Sequence, residues 1–414
     1  MDILKSKKAI KLGLIVVYFV ISITVEIFYN QPLFEYSLTY EQTFQKNVPQ
    51  WIQDYFKFIT GFGTEKYIVP VIVVVIIFVP LSKVLAICLS LFTCLYLDNV
   101  LKLIYHDPRP YWVKPGLQDG KHCDLGFGNP SGHSYVSTGT YLAIWCVITD
   151  YSFFTKKIPG IILRFFLCAV FLLLIITIML SRIFLGVHSL NQIIYGSNLG
   201  LGTFLLLFWV LEIHKFTPKE FFEKYWKAKL VIFILFGVGI TTSLLLYFFI
   251  ISLNEERYRA AIELTCGTIS KTYRLFKKDG LYGSMCLFAM VGAFLGHFFL
   301  KHFSEKHFPN QEDFIVNWQQ NKIPSRIVRA LVLGAFGAPI SLTILIKDSA
   351  SDPIIYIFKC AIPYLITGFL VIGPGIYFGY LLARRLFPNS FEDNHNITTT
   401  NLILPDNTAS IEEV

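Results

Sequence analysis

The chain has 414 residues, 54% of them hydrophobic and only 15% charged, with a formal net charge of +8. That balance excludes a soluble globular domain of this length, because its apolar runs are repeatedly long enough to cross a bilayer. It also calls for no nucleic acid partner, since lysines and arginines flanking those runs account for the basic excess.

Apolar windows predict an all-α fold, a polytopic transmembrane helical bundle of about ten spans. They fall near residues 11–29, 67–81, 83–105, 134–150, 160–180, 190–211, 229–252, 281–300, 326–346 and 354–382. The first follows Lys5, Lys7, Lys8 and Lys11, is longer than a signal-peptide core and has no small-residue cleavage site, so it reads as a retained span. Residues 30–66 then read as a long loop. Within it Trp51, Ile52, Tyr55, Phe56 and Ile59 recur at helical spacing opposite Gln50, Gln53, Asp54 and Lys57, the pattern of a helix lying in the membrane interface. Such a helix serves either as an anchor, the preferred reading, or as a flap beside a site.

Basic residues cluster at Lys83, at Lys156 and Lys157, at Lys215, Lys219, Lys224, Lys227 and Lys229, and at Arg384 and Arg385. If spans alternate, all lie on one side with both termini, and that side is expected to be cytoplasmic. Residues 253–280, predicted on the opposite side, run against the trend with Arg257, Arg259, Lys271, Arg274, Lys277 and Lys278, partly offset by Glu255, Glu256, Glu263 and Asp279. Glycines four apart, Gly196 with Gly200, Gly292 with Gly296 and Gly375 with Gly379, suit close helix packing within one bundle. Cys88, Cys94, Cys146, Cys168, Cys286 and Cys360 fall in spans as packing residues, whereas Cys123 and Cys266 fall in loops on the oxidising face, where a disulfide is an option. After Arg385 the chain turns polar and reads as a disordered tail.

Three polar islands interrupt this pattern at the end of the third span, the start of the fourth and the end of the fifth. Alternation puts all three on the face away from the cytoplasm. Lys102 lies four residues after Asp98, so the two share a helical face and can pair. Arg109 follows between Pro108 and Pro110, a turn expected to hold its guanidinium at the membrane surface. Ser131, Gly132 and His133 open the fourth span, where a helix start offers unpaired N–H groups to an oxyanion and where Ser131 could instead be a plain helix cap. His133 as an imidazolium suits a general acid. Arg182 and His188 close the fifth span, and a neutral His188 could attack phosphorus in line with the departing oxygen while Lys102, Arg109 and Arg182 stabilise the equatorial oxygens.

The order Lys102, Arg109-Pro110, then Pro130-Ser131-Gly132-His133, then Ser181-Arg182 and His188 resembles the three-part signature of the type 2 phosphatidic acid phosphatase superfamily, which also includes glucose-6-phosphatases, sphingoid-phosphate phosphatases and vanadium haloperoxidases. The likeness covers roughly residues 60–212. It implies that His188 is the nucleophile, that His133 is the acid, and that Lys102, Arg109, Ser131, Gly132 and Arg182 hold the phosphate, with Asp98 in support and neither metal nor cofactor required. Many members carry an aspartate four residues after the nucleophile where this chain has Gln192. Glucose-6-phosphatases resemble it in having glutamine there, and the expected role of Gln192 is to fix the tautomer of His188.

The expected organisation is an N-terminal span with a lumenal amphipathic loop over residues 1–59, a six-helix phosphatase core over 60–212, further transmembrane spans over 213–385 and a disordered cytoplasmic tail over 386–414. The expected function is a metal-independent, acid phosphatase-type phosphoric monoester hydrolase of the endoplasmic reticulum or plasma membrane, its site facing away from the cytosol. A phosphorylated lipid, phosphatidate or a sphingoid phosphate, is the favoured substrate, with membrane lipids as the surroundings. Arg109-Pro110-Tyr111-Trp112 and Gln192 look more like the sugar-phosphate branch, whereas the run from Ser181 to Ser189 looks more like the sphingoid branch. A small sugar phosphate ester and a polyprenyl diphosphate are therefore the alternatives. From another class comes a catalytically silent transporter or scaffold.

Overall fold

The computed structural model describes residues 2–46, 48–79, 81–114, 116–117, 123, 126–150, 158–216, 229–249, 255–267, 277–307, 323–337 and 361–388. Among the described residues the regular structure is entirely helical. In chain order these are α1 (Asp2–Gln45), α2 (Gln50–Ile59), α3 (Glu65–Phe78), α4 (Leu81–Tyr105), α5 (Pro110–Val113), α6 (Gly132–Thr149), α7 (Ile158–Phe184) and α8 (Leu190–Phe204). They continue with α9 (Lys229–Phe249), α10 (Glu255–Cys266), α11 (Lys277–His307), α12 (Ile323–Gly337), α13 (Ile362–Leu370) and α14 (Ile376–Leu386). Helix is what runs of this apolarity must form in hydrocarbon, where backbone groups can find partners only within their own segment.

Where they are described, the predicted spans are mainly helical; residues 338–360, with Cys360 and the adjoining parts of the last two spans, lie outside the described part. By length and composition, five helical stretches of the described chain are able to cross a membrane, or six if the bent pair Gln50–Gly63 and Glu65–Phe78 counts as one. The polar tail beyond residue 388 and the lysines at 156, 157, 219, 224 and 227 also lie outside the described residues.

One expectation needs correction. Residues 30–45 are not loop: α1 continues through Pro32 to Gln45. This half of the helix is tied to other elements by Ser37 and Gln45. Ser37 Oγ accepts from Leu190 N at 2.7 Å, and Gln45 Nε2 donates to the carbonyls of Leu117 at 2.7 Å and Phe184 at 2.8 Å.

α6 is the hub. Every residue from Ser134 to Ile144 is buried, with α4, α7 and α8 around it. The approach of α8 is close because an added Cβ on Gly196 or Gly200 would press on the backbone oxygens of Ser131 or Tyr135. Gly292 and Gly296 of α11 lie in the same way against the backbone of α13.

The helix directions sort the charges. Lys11 pairs with Glu212 at 3.1 Å, Lys215 with Glu212 at 3.3 Å, and Lys83 with Asp150. These pairs lie at the start of α1 and α4 and the end of α6 and α8. The opposite ends of the same helices carry all three islands. α10, despite its arginines, also sits at the island end, with Tyr258 against Trp112 at 5.5 Å between ring centroids and Cys266 joined to Cys123 by a disulfide, Cα–Cα 5.9 Å.

α2 forms as its periodicity predicts. Phe56 and Ile59 are buried, Phe56 stacking on Phe184 at 4.8 Å, whereas Trp51 is 71% and Tyr55 43% exposed. Its apolar face is thus shared between α7 and the surroundings.

Candidate active site

The last turn of α4 presents Lys102, whose Nζ donates to Asp98 Oδ2 at 2.8 Å, both side chains being mostly buried. Asp98 in turn lies against the first residue of α6. An added Cβ on Gly132 would come within 2.6 Å of Asp98 Oδ2 and push the carboxylate aside, so the glycine lets the two islands approach.

Arg109 follows α4 between its two prolines and turns inward. Its side chain is fully buried. Nε donates to Gly126 O at 2.7 Å, Nη2 to Phe127 O at 3.3 Å and Nη1 to Val187 O at 3.1 Å. Those carbonyls belong to the approaches to the second and third islands. A buried guanidinium is tolerated only with such a set of acceptors, and here it ties the loops together.

Arg109 Nη1 also lies 3.1 Å from His188 Nε2. A guanidinium can only donate, so Nε2 holds its lone pair toward it. On the other side of the ring Nδ1 is 2.8 Å from Gly128 O and 3.2 Å from Gln192 Oε1, which can only accept, so Nδ1 carries the proton. The two constraints agree on one tautomer. Burial, with the positive fields of Arg109, Arg182, Lys102 and His133, holds the imidazole well below its ordinary value of 6.5.

The turn that carries His188 depends on Gly186, at φ +64°, where an added Cβ would overlap the Leu117 carbonyl. Gln192 follows one helical turn later. Its Nε2 donates to Pro108 O at 2.8 Å and its Oε1 accepts from Ser189 N at 3.3 Å, which fixes the orientation of the amide and turns the oxygen to His188.

Ser131 stands just before α6 but its hydroxyl does not cap the helix. It accepts instead from Ser134 Oγ at 3.1 Å, while its backbone N–H donates to Gln192 O at 3.0 Å. His133 and Gly132 are half-buried, in contrast to the fully enclosed Ser131 and His188. Arg182 reaches across to Thr60, with Nη1 donating to Oγ1 at 2.9 Å.

Thr60 opens the short 3-10 turn Thr60–Gly63 that follows α2, and Gly63 lies against the His133 ring. Sequence reasoning singled out neither residue, because one threonine and one glycine after an amphipathic stretch carry no periodic signal. It also missed Glu26 and Asn30 of α1. Glu26 Oε1 accepts from Asn129 Nδ2 at 2.7 Å and Asn191 Nδ2 at 3.3 Å, and Asn30 Nδ2 donates to Asp107 Oδ2 at 2.7 Å. An acidic residue inside a predicted span was the available clue.

All of the predicted site residues therefore meet at one end of the bundle, two imidazoles with three fixed cations around the start of α6. Comparison with known families matches residues 83–216 to the PAP2 superfamily. Among solved structures, a transmembrane PAP2-type phosphatidylglycerolphosphate phosphatase from Bacillus subtilis is similar, at 21% identity and a TM-score of 0.40, over 49% of this chain and 96% of that one. No curated protein matches.

Proposed function

Residues 83–216 belong to the PAP2 superfamily, and from that premise we propose that the chain is an integral membrane phosphatase that cleaves a phosphomonoester through a phosphohistidine. The observation that carries this reading is the bonding of His188: Nδ1–H donated to Gly128 O and the Nε2 lone pair directed at Arg109.

Nε2 attacks phosphorus, the bond to the ester oxygen breaks, and the leaving alkoxide takes a proton from His133. The Arg109 N–H that points at Nε2 is placed to transfer to an equatorial oxygen of the arriving phosphoryl group. Lys102 and Arg182 supply the remaining charge compensation, and the N–H groups at the start of α6 a further anion site. Water then attacks phosphorus, His133 takes its proton, the P–N bond breaks and His188 regains the neutral state that its surroundings favour. Asp98 orients Lys102, and Gln192 holds the His188 tautomer. These steps draw their charge stabilisation from fixed side-chain cations rather than from a metal or cofactor.

The favoured substrate is a lipid phosphate such as phosphatidate or a sphingoid phosphate. Support comes from the exposed Trp51 and Tyr55 on α2, whose following turn touches both Arg182 and His133. A sugar phosphate is the second reading, favoured by Gln192 in place of an acid. The site faces the lumen of the endoplasmic reticulum or the outside of the plasma membrane, opposite the end bearing Lys11, Lys83 and Lys215.

The test is phosphate release by purified protein from a panel of lipid, sugar and polyprenyl phosphates. Vanadate-sensitive, magnesium-independent release, lost in His188→Ala and in His133→Ala, is expected. Absence of release from every member would move the chain to a silent transporter or scaffold. Latency toward a water-soluble ester in intact vesicles, relieved by detergent, reports the sidedness.

A further inference from the structure

α1 lies outside the segment matched to the family, yet its inner stripe bonds residues that flank all three islands. Glu26 is 5% exposed, and its Oε1 is shared by two amides. Asn129 Nδ2, at 2.7 Å, belongs to the loop that leads into Ser131 and His133. Asn191 Nδ2, at 3.3 Å, belongs to the start of α8, three residues beyond His188.

The same amides extend the network. Asn129 Nδ2 also donates to Asp107 Oδ2 at 2.7 Å, two residues before Arg109, and Asn30 Nδ2 donates to that oxygen at 2.7 Å. Asn191 Nδ2 donates to Asn30 Oδ1 at 2.9 Å, and Ser189 Oγ to Asn191 Oδ1 at 2.6 Å. A carboxylate this deep in a bundle is costly to bury, and an amide pair on one oxygen is a specific way of compensating it.

We propose that Glu26 is a positioning residue, whose Oε1 holds the loop that leads into the general acid against the start of α8, three residues beyond the nucleophile. His133 and His188 stand on separate elements, and both must meet one phosphoryl group in line. His133 is the second residue of α6 and Asn191 the second of α8, and beside the bonds that Arg109 makes to both approaches, Glu26 Oε1 is an acceptor that Asn129 and Asn191 share. Loss of that shared acceptor lets the two rings drift by fractions of an ångström, enough to slow an in-line displacement severely. The proposal rests on the phosphatase reading for its kinetic consequence, but its structural content does not.

Glu26→Gln keeps a carbonyl oxygen for both amides, whereas Glu26→Leu keeps the volume and removes the acceptor. On an ester that wild type cleaves, Glu26→Leu is expected to lower kcat by about tenfold to a hundredfold with KM within about twofold, and Glu26→Gln to stay within about threefold of wild type. Hydrogen exchange gives the readout that needs no turnover: segments 126–133 and 184–191 should both exchange faster in Glu26→Leu and neither in Glu26→Gln. If Glu26→Leu does not fold, Asn191→Leu, which removes one side of the clamp, should show the same loss of kcat and faster exchange in both segments.

Wild-type kcat in Glu26→Leu, unchanged exchange, or equal damage from glutamine and leucine would each overturn the proposal. An inert wild type with the expected exchange pattern would instead sink the phosphatase reading and leave the clamp standing.

Discussion

Gln192 bridges His188 and the Pro108 carbonyl, taking the Nδ1 proton on its oxygen at 3.2 Å and giving an N–H to Pro108 O at 2.8 Å. An aspartate at this position could serve only the first partner, and its carboxylate would face a carbonyl oxygen with no proton between them. The glutamine is thus matched to its surroundings, with the amide nitrogen locking the oxygen in place.

Gln192→Ala is expected to lower kcat about tenfold to a hundredfold while the protein still folds, because Gly128 O alone then holds the ring. Steady-state kinetics on detergent-purified protein, with circular dichroism as the control for folding, decide it. Unchanged turnover would remove Gln192 from the mechanism.

The depressed value of His188 has a signed consequence. The ring stays neutral until the pH falls well below 6.5, so the acid limb of kcat/KM due to this group lies well below that value. Replacing a neighbouring cation, as in Arg182→Gln, moves the limb upward. In the unfolded chain the same ring takes up its proton near 6.5, so its contribution to stability is full above that pH and is lost as the pH falls toward the folded-state value. A pH–rate profile for both forms measures the effect, and a limb that stays at the same pH in Arg182→Gln contradicts it.

Thr60 orients Arg182 through a single bond of 2.9 Å. Thr60→Val keeps the shape and removes the acceptor, and a hydrogen bond to a charged group of about 1.5 kcal/mol predicts roughly a tenfold fall in kcat/KM. Thr60→Ser should retain activity. Equal rates for the valine and serine forms would show that the turn does not reach the reaction.

The three islands were legible because each is a dense polar cluster set against apolar runs, and charge alternation alone put them on one face. Their supports were not. Glu26, Asn30 and Thr60 are lone polar residues more than 40 positions before the first island, and their partners are fixed by tertiary packing that leaves no periodic mark. The continuation of α1 was masked by Pro32 and by the polar residues after it. Those polar residues make sense only once the turn at 184–190 is seen against them. Likewise the burial of Arg109 depends on carbonyls at 126, 127 and 187 that no local pattern could bring together.

Glu41 lies on the same stripe of α1, between Ser37 and Gln45, fully buried, with neither carboxylate oxygen hydrogen-bonded among the described residues. Removing an unsatisfied buried polar group in favour of an apolar one of similar volume is neutral or stabilising. Glu41→Met is therefore expected to stabilise the protein by about 1–3 kcal/mol, read as a higher thermal midpoint in detergent. A lowered midpoint would mean that the carboxyl has a partner of consequence.

The Cys123–Cys266 bond and the contact of Tyr258 with Trp112 join the chain's second half to α5 and to the stretch leading to Gly126, Phe127 and Gly128. The matched segment 83–216 is accordingly no excisable cassette. Cut out alone it would present an orphan thiol and an uncovered indole, and it would forfeit both Glu26 and Thr60. A production host with an oxidising secretory route, given the whole chain, is the setting in which this loop can reach its working shape.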